Sequence, residues 1–253
     1  MSKQLSKVAP KHHTRKRISF PWEVAVHSHH SASVCRDSAL KVLRHYKVPA
    51  TKITVFLAEG HKESDYKAIL KSGSYHKLVS TTGNLDVFLN DYFPAGTQVL
   101  HIQDDVKGFL EVGGNLLKSL LGIIKTGFQE CEKHGANLWG IYPHAVGSLL
   151  RPSVSTELKY ISGCFWGCIS LGSTFIKLAV PEKADYERSI LYFKRDKKVI
   201  RLNFVAAFCS RREDNKTATR LLAKLYPDYT VLMTNKKGGL EIRLRAPGGN
   251  KDG

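Results

Sequence analysis

The sequence predicts an α/β fold in which helices cover both faces of a mainly parallel central sheet. Short apolar segments rich in β-branched residues alternate with amphipathic segments three times before residue 100. Such alternation is typical of βαβ units. Crossovers between parallel strands are almost always right-handed, so successive units of this kind build one twisted sheet.

The residues before 112 account for four strands and three helices. Val99, Leu100 and Ile102 form an apolar run that is typical of a buried strand. Asn84 is suited to cap the preceding helix, and Pro94 ends it. In chain order we predict a strand at 22–30, a helix at 31–47, a strand at 52–60, a helix at 62–71, a strand at 75–83, a helix at 84–93 and a strand at 99–103.

The second half has a different character, and we expect a smaller mixed region there. We predict a long amphipathic helix at 113–133, a strand at 138–143, an aromatic β-rich segment at 158–170, a helix at 185–196, a strand at 198–208, a mobile loop at 210–218, a helix at 217–229 and a strand at 240–247. No linker rich in Pro or Gly separates two domains. We therefore expect a basic disordered arm at 1–18 and one domain at 19–253, made of unequal parts at 19–112 and 113–253.

The charge balance is strongly positive. The 253 residues include 39 Lys and Arg against 22 Asp and Glu, which gives a formal net charge of +17. This balance favours a polyanionic partner such as nucleic acid, although an anionic membrane surface or a solubility effect would also account for it. No apolar stretch reaches the roughly 18 residues of a membrane span, and the basic N-terminus lacks the apolar region of a secretory signal.

The cysteine content favours free thiols. Cys164 and Cys168 are four residues apart, and no second Cys or His pair stands at zinc spacing. The complete set is odd in number: Cys35, Cys131, Cys164, Cys168 and Cys209. We therefore expect reduced thiols and an intracellular location rather than secretion.

Four of the predicted strands end in polar groups, at the edge where parallel sheets bind their ligands. These groups are Ser28, His29 and His30, then Glu59, then Thr81, Thr82 and Asn84, and finally Asp104 and Asp105. Paired carboxylates suit Mg²⁺ or Mn²⁺, which take oxygen ligands and commonly bridge to a phosphate. A solvated turn or a helix cap is the alternative interpretation of the two aspartates.

Several other kinds of site lose support. The patterns GxGxxG and GxxxxGK[ST] are absent, which argues against a dinucleotide-binding dehydrogenase and a P-loop phosphotransferase. A G-x-S-x-G elbow is also absent, which weakens the case for a hydrolase of that type. The segment HSHH at 27–30 contains potential zinc ligands. Because His29 and His30 point to opposite sides of an extended chain, we favour a polar loop that lines a nucleotide pocket.

The order of these segments resembles the GT-A nucleotide-sugar glycosyltransferases from about residue 22 to residue 208. The best match is GNLDVFLNDYFPAGTQVLHIQDDVKGF, in which a helix, a turn and an acidic motif follow one another. VAVHSHH, ITVFLAEGHKESDYKAIL, IYPHAVGSLLRPSVSTELKYISGCFWG and DYERSILYFKRDKKVIR match in the same order. More narrowly, the chain resembles a viral and phage group that includes chlorovirus capsid-glycan enzymes and DNA-base glycosyltransferases associated with TET/JBP oxygenases.

The resemblance implies roles for individual residues. Asp105 would bind Mn²⁺ or Mg²⁺, and Asp104 would contact the metal or the donor's ribose or sugar. Asp185 would act as a base or orient the acceptor, the alternative being that it caps the helix it opens. The donor, a UDP-sugar, would be contacted by Ser28, His30, Glu59 and Asn84, and Gly163 would leave room for its sugar.

The chain departs from the motifs of this group at three positions. Gln103 stands where the group has the first acid of its motif, which implies fewer carboxylates for the metal. His30 replaces an Arg or Lys, and Ala184 stands where the group often has Glu. These departures affect two expected properties, namely the affinity for the metal and the identity of the catalytic base.

The implied reaction moves the sugar to an acceptor hydroxyl. The basic arm and the basic segments at 194–198, 210–212 and 235–237 favour DNA, with a hydroxymethylated pyrimidine read by stacking on Trp166, Phe165 or Tyr160. Solvated surface charge and a packed core turn are the structural alternatives for these residues. A protein-linked or capsid glycan is the alternative acceptor, and a non-catalytic nucleic-acid-binding protein on a decayed enzyme scaffold is the alternative function. The resemblance implies the host cytoplasm as location and leaves the sugar, the stereochemical outcome and the oligomeric state open.

Overall fold

A computed structural model of the chain describes residues 22–172, 176–210, 215–234 and 238–248. The predicted basic arm at 1–18 lies outside these ranges, as do most of the basic segment at 210–212 and all of that at 235–237. The loop predicted at 210–218 lies partly outside them.

A nine-stranded sheet forms the centre of the molecule, in the order β3-β2-β1-β4-β8-β6-β9-β5, with β7 paired to β9. Its strands are β1 (Trp22–Ser28), β2 (Ile53–Leu57), β3 (Lys77–Ser80), β4 (Gln98–Gln103), β5 (Gly108–Glu111), β6 (Leu138–Tyr142), β7 (Val154–Ser155), β8 (Phe165–Ile169) and β9 (Ile200–Phe208). A separate antiparallel pair consists of β10 (Thr230–Thr234) and β11 (Leu240–Leu244).

The first four strands are parallel because a helical crossover connects each of them to the next. β1 pairs with β2 on one side and β4 on the other, so that Val24 lies between Ile53 and Leu100. β6 and β9 run in the same direction as these strands, whereas β5, β7 and β8 run against it. The predicted fold class, an α/β fold with a mainly parallel sheet, is confirmed.

Helices cover both faces of this sheet. The helices are α1 (Ala32–Cys35), α2 (Lys41–His45), α3 (Glu63–Ile69), α4 (Leu85–Tyr92), α5 (Leu120–His134), α6 (Ala184–Asp196) and α7 (Lys216–Leu225). Val24 and Val26 pack with residues of α1, α2, α3 and α5 in one apolar cluster. Ala25 and Phe56, which point to the other face, pack with residues of α4 and α6. β1, β2 and β4 are buried on both faces and are therefore rich in apolar residues, whereas the edge strand β3 is partly exposed.

Helix ends follow local sequence signals. Asn84 caps α4 as predicted, since its Oδ1 accepts a hydrogen bond from the Val87 amide at 3.2 Å. Ser119 caps α5 in the same way, and Gly135 ends that helix in the left-handed conformation with a φ of 65°. Within the described ranges, no helix combines the length and the apolarity needed to cross a membrane.

Some predicted boundaries are wrong. The helix expected at 113–133 begins at Leu120, because residues 108–111 form strand β5 and Ser119 supplies the cap. The β-rich segment at 158–170 contains a strand only over Phe165–Ile169. The helix expected at 31–47 contains a π-helical stretch, Arg36–Leu40, between α1 and α2. The strand β10 was not predicted.

Replacing Gly127 with Ala should destabilise the protein by at least about 2 kcal/mol, because overpacking a rigid core is costly. A Cβ at Gly127 would lie 2.3 Å from Cδ2 of Trp139, which is fully buried. Gly122 is the matched control on the same helix, since a Cβ there meets only the Ser119 side chain, at 3.2 Å or more. Urea denaturation measures both variants. Equal midpoints for G127A and G122A would contradict this packing.

Candidate active site

Three parallel strands bring their polar carboxyl ends to one edge of the sheet. The backbone amide of Asp104 donates to the His27 carbonyl at 3.0 Å, and that of Ala58 donates to the Ser28 carbonyl at 3.0 Å. The ends of β1, β2 and β4 are therefore joined by backbone hydrogen bonds. This is the edge at which an open α/β sheet binds its ligands.

Asp104 is buried among hydrogen-bond donors. Its Oδ2 accepts from the Ser28 hydroxyl at 3.0 Å and from the His30 amide at 2.9 Å, and its Oδ1 lies 2.8 Å from Nδ1 of His30. Tyr66, which is also buried, places its hydroxyl 2.7 Å from Oγ of Ser28. Asp104 thus ties the end of β4 to the loop after β1. The structure brings Ser28, His30 and Asp104 together, as predicted, in one network.

Asp105 differs from its neighbour in having an unsatisfied oxygen. Its Oδ2 accepts a hydrogen bond from the Ser210 amide at 2.8 Å. Its Oδ1 is buried and has no hydrogen-bond partner among the residues that the structure describes. A buried carboxylate oxygen without a partner is costly unless a cation or a donor reaches it.

At this edge one carboxylate oxygen, Oδ1 of Asp105, is available to a divalent cation that takes its other ligands from water and a bound phosphate. No group of three or more His, Cys, Asp or Glu side chains in the described ranges is arranged to hold a metal by itself. Mg²⁺ commonly takes one or two carboxylates and completes its shell with water and phosphate oxygens. Asp105 Oδ1 can supply one such ligand, whereas both oxygens of Asp104 already accept hydrogen bonds.

Asp185 lies at the same edge, on the first turn of α6. Its Oδ2 accepts a hydrogen bond from the Tyr160 hydroxyl at 2.5 Å, and its Oδ1 accepts from the Tyr186 amide at 3.0 Å. A Cβ placed on Gly163 would be 3.7 Å from Cβ of Asp185 and 3.5 Å from Nε2 of Gln103. Gly163 therefore adjoins both Asp185 and the residue that ends β4. Asp185 is not the helix cap, because Lys183 occupies that position.

The other two residues predicted to contact the UDP-sugar lie at the rim of this edge. Glu59 is exposed in the turn after β2. Asn84 is also exposed, and its side-chain oxygen is engaged in capping α4. The structure does not connect either side chain with the network around Asp104.

Trp166 and Phe165 are buried, which makes the predicted stacking of a nucleic-acid base on them wrong. Trp166 lies between the His101 ring, whose centroid is 3.8 Å away, and the Arg188 guanidinium at 3.7 Å. Arg188 in turn pairs with Asp86 of α4 at 3.5 Å. The alternative interpretation of GCFWG as packed core is therefore confirmed. Tyr160 is partly exposed and bonds to Asp185 instead.

His27 belongs to the same buried cluster and does not line a loop pocket, so that part of the expectation for HSHH is wrong. Its Nε2 shares a 2.9 Å hydrogen bond with Nδ1 of His101. Successive side chains of a strand point to opposite faces, so His27 faces α4 and α6 while Ser28 faces Tyr66. His30 is the residue of this segment that reaches Asp104.

Acidification should destabilise the protein through His101. Burial, followed by the charges of His27 and Arg188, holds the pKa of His101 well below its usual 6.5. The unfolded chain therefore binds a proton near that value while the folded protein does not. Stability should fall as the pH drops below about 6.5, by up to about 1.4 kcal/mol per pH unit.

Urea denaturation at about pH 7.5 and about pH 5.5 measures this dependence. His101→Gln should reduce the loss on acidification, whereas His45→Gln, at an exposed position, should not. Identical pH dependence in the wild type and H101Q would contradict the assignment.

The expectation of five reduced thiols is wrong, because Cys164 and Cys209 form a disulfide. Cys164 follows Gly163, and its carbonyl accepts from the Gln103 amide at 3.0 Å. Cys209 precedes Ser210, the residue that donates to Asp105. The other three cysteines are buried, and burial raises the pKa of Cys35 and Cys168 to about 12 and raises that of Cys131 as well. The disulfide thus joins two segments that border the candidate site.

The residues that surround the three aspartates and fix their positions were not identified from the sequence. Tyr66, Ser210 and the Cys164–Cys209 disulfide come from distant parts of the chain, and Tyr160 was assigned a different role. Tyr66 carried a signal, since it lies in ITVFLAEGHKESDYKAIL, one of the segments that carry the resemblance. A backbone donor such as Ser210 leaves no sequence signal, because every residue except proline has an amide.

Comparisons with known proteins support the fold. Neither a protein-family profile nor a curated protein sequence matches the chain. Among solved structures, S. aureus TarS is 12% identical with a TM-score of 0.50, over 80% of this chain and 39% of that one. A mycobacterial protein is 8% identical with a TM-score of 0.48, over 90% of this chain and 85% of that one. A TarS fragment in complex with UDP-GlcNAc is 9% identical with a TM-score of 0.44, over 78% of this chain and 60% of the fragment. The chain spans less than two thirds of both TarS structures.

Proposed function

We propose that the protein is a glycosyltransferase that moves a sugar from a nucleoside-diphosphate sugar, a UDP-sugar, to an acceptor hydroxyl. The observation that carries this proposal is the buried Oδ1 of Asp105 at the carboxyl edge of the sheet, which has no hydrogen-bond partner among the described residues. Asp185, a second carboxylate, lies beyond Gly163 at the same edge. The fold likeness to TarS, a fragment of which is known in complex with UDP-GlcNAc, supports the choice of donor.

Asp105 would hold the divalent cation, Mn²⁺ or Mg²⁺, with its free oxygen, while Asp104 fixes the backbone before it. When bound, such a cation neutralises charge on the donor's diphosphate. His30, whose side chain is 49% accessible and bonds to Asp104, would contact the phosphates. Ser28 acts through Asp104, and Glu59 and Asn84 would contact the nucleotide from the rim.

In the proposed reaction the acceptor oxygen attacks the anomeric carbon of the donor sugar. The bond between that carbon and the diphosphate oxygen breaks, and the diphosphate leaves with the electron pair. Asp185 accepts the proton of the attacking hydroxyl. Gly163 leaves space between Asp185 and Gln103, because a side chain there would meet both.

For the acceptor we propose a hydroxymethylated pyrimidine in DNA. The net charge of +17 supports a polyanionic acceptor. Within the described ranges, residues 194–198 form a basic segment at the carboxyl end of α6, the helix whose first turn carries Asp185. Binding and transfer should then weaken steeply as salt is raised. A capsid or protein-linked glycan acceptor would give transfer that is insensitive to salt.

A thermal-shift panel tests the donor site. UDP-sugars with Mn²⁺ should raise the melting temperature, because a ligand that binds only the folded state stabilises it. The same sugars without metal should raise it less. A protein that binds DNA in a salt-dependent way but responds to none of the nucleotides would instead be a non-catalytic nucleic-acid-binding protein, and the proposal would be wrong.

A further inference from the structure

We propose that Tyr160 is a positioning residue that holds the Asp185 carboxylate ready to accept the acceptor's proton. The inference rests on the proposed role of Asp185 as the base. The Tyr160 hydroxyl donates to Oδ2 of Asp185 at 2.5 Å.

Asp185 is held on both of its oxygens. Tyr160 binds Oδ2, and the Tyr186 amide donates to Oδ1 at 3.0 Å. A carboxylate with one donor on each oxygen loses its freedom to rotate about the last side-chain bond. Each oxygen can accept a further hydrogen bond, since a carboxylate offers about four lone-pair positions. The acceptor hydroxyl can therefore bind without displacing Tyr160.

The segment that carries Tyr160 is itself fastened to the first turns of α6. The Ile161 amide donates to Oγ of Ser189 at 3.1 Å, and this hydroxyl donates to the Asp185 carbonyl at 2.8 Å. The Tyr160 ring stacks on Tyr186, with centroids 4.2 Å apart. Tyr160 and Asp185 are thus connected through a hydroxyl, a stacked ring and a serine bridge. Because several contacts fix the position of Tyr160 relative to Asp185, the hydrogen bond between them has a defined geometry.

Tyr160 remains a donor over the whole working pH range. Burial, followed by the charge of Asp185, raises the pKa of Tyr160 well above its usual 10. Its hydroxyl therefore orients the carboxylate and does not take the proton itself. This arrangement separates the two tasks, because Asp185 exchanges the proton while Tyr160 keeps its own.

Tyr160→Phe tests the proposal because it removes the hydroxyl and keeps the ring. We expect a fall in kcat of about 10- to 100-fold with the donor KM within about twofold, since a misplaced catalytic group slows the reaction without weakening donor binding. Tyr92→Phe is the matched control, because this tyrosine lies at the C-terminal end of α4 and takes no part in the contacts described around Asp185, and its kcat should stay within about threefold. In an Asp185→Asn background, Y160F should cause no further loss.

The outcomes distinguish this inference from the proposed function. A wild-type protein that transfers no sugar from any sugar nucleotide defeats the proposed function. A wild type that transfers sugar while Y160F keeps the same kcat, or loses kcat equally with and without Asp185, overturns the role of Tyr160. If circular dichroism shows that Y160F is unfolded, Ser189→Ala takes its place, because it removes the bridge and leaves the ring. An unchanged kcat in S189A then overturns the proposal.

Discussion

Asp105→Asn should lower kcat for sugar transfer at least about 100-fold, the cost typical of losing one electrostatic contact to the leaving charge. The substitution keeps the shape of the side chain and an oxygen that can accept from the Ser210 amide. It removes the negative charge from the buried oxygen that has no partner in the part of the chain that the structure describes. The fold should therefore persist while the stabilisation of the donor's diphosphate is lost.

Steady-state kinetics with a UDP-sugar and Mn²⁺ measure this effect. Asp91→Asn is the control, because this carboxylate is exposed on α4. The Mn²⁺-dependent rise in melting temperature should disappear in D105N and remain in D91N. Transfer by D105N at the wild-type rate would show that the metal or the diphosphate binds elsewhere.

Reducing the Cys164–Cys209 disulfide should lower the free energy of unfolding by about 4 kcal/mol, the chain-entropy value for a loop of this size. The two cysteines are 45 residues apart in sequence. A loss of this size corresponds to a fall of about 8 to 16 °C in melting temperature for a chain of this length. Thermal denaturation with and without a phosphine reductant measures it.

The double variant Cys164→Ser, Cys209→Ser should melt like the reduced wild type and should not respond to reductant. Mass mapping of peptides under oxidising conditions identifies the linked cysteines directly. If the wild type and the double variant melt alike in oxidising buffer, the disulfide does not contribute to stability.

The first half of the fold was predictable because its signals are local. β-branched runs separated by amphipathic segments specify β1, β2, β3 and β4, and Asn84 caps its helix as the sequence suggests. Parallel strands then place their carboxyl ends together without further information. This is why Ser28, His30 and Asp104 could be grouped from sequence alone.

The second half was harder because its contacts are distant in sequence. The hydrogen bond from Ser210 to Asp105 joins residues that are 105 positions apart, and the sequence around either residue contains no motif that predicts it. Burial of Trp166 depends on Arg188 and Asp86, which approach from α6 and α4. An aromatic, glycine-flanked segment has the same composition whether it lines a pocket or fills a core. Composition alone therefore could not distinguish the two positions.

The pairing of β4 with β8 limits how the molecule can move. These strands share a ladder from Gln98 opposite Ile169 to Ile102 opposite Phe165, which crosses from one half of the chain to the other. A hinge motion that separated the two halves would have to break this ladder of backbone hydrogen bonds. If the proposed donor binds at this edge, we expect its exchange to depend on short rim segments, such as the exposed turn at Glu59 and Gly60. Changes in those turns should alter exchange rates while leaving the scaffold rigid.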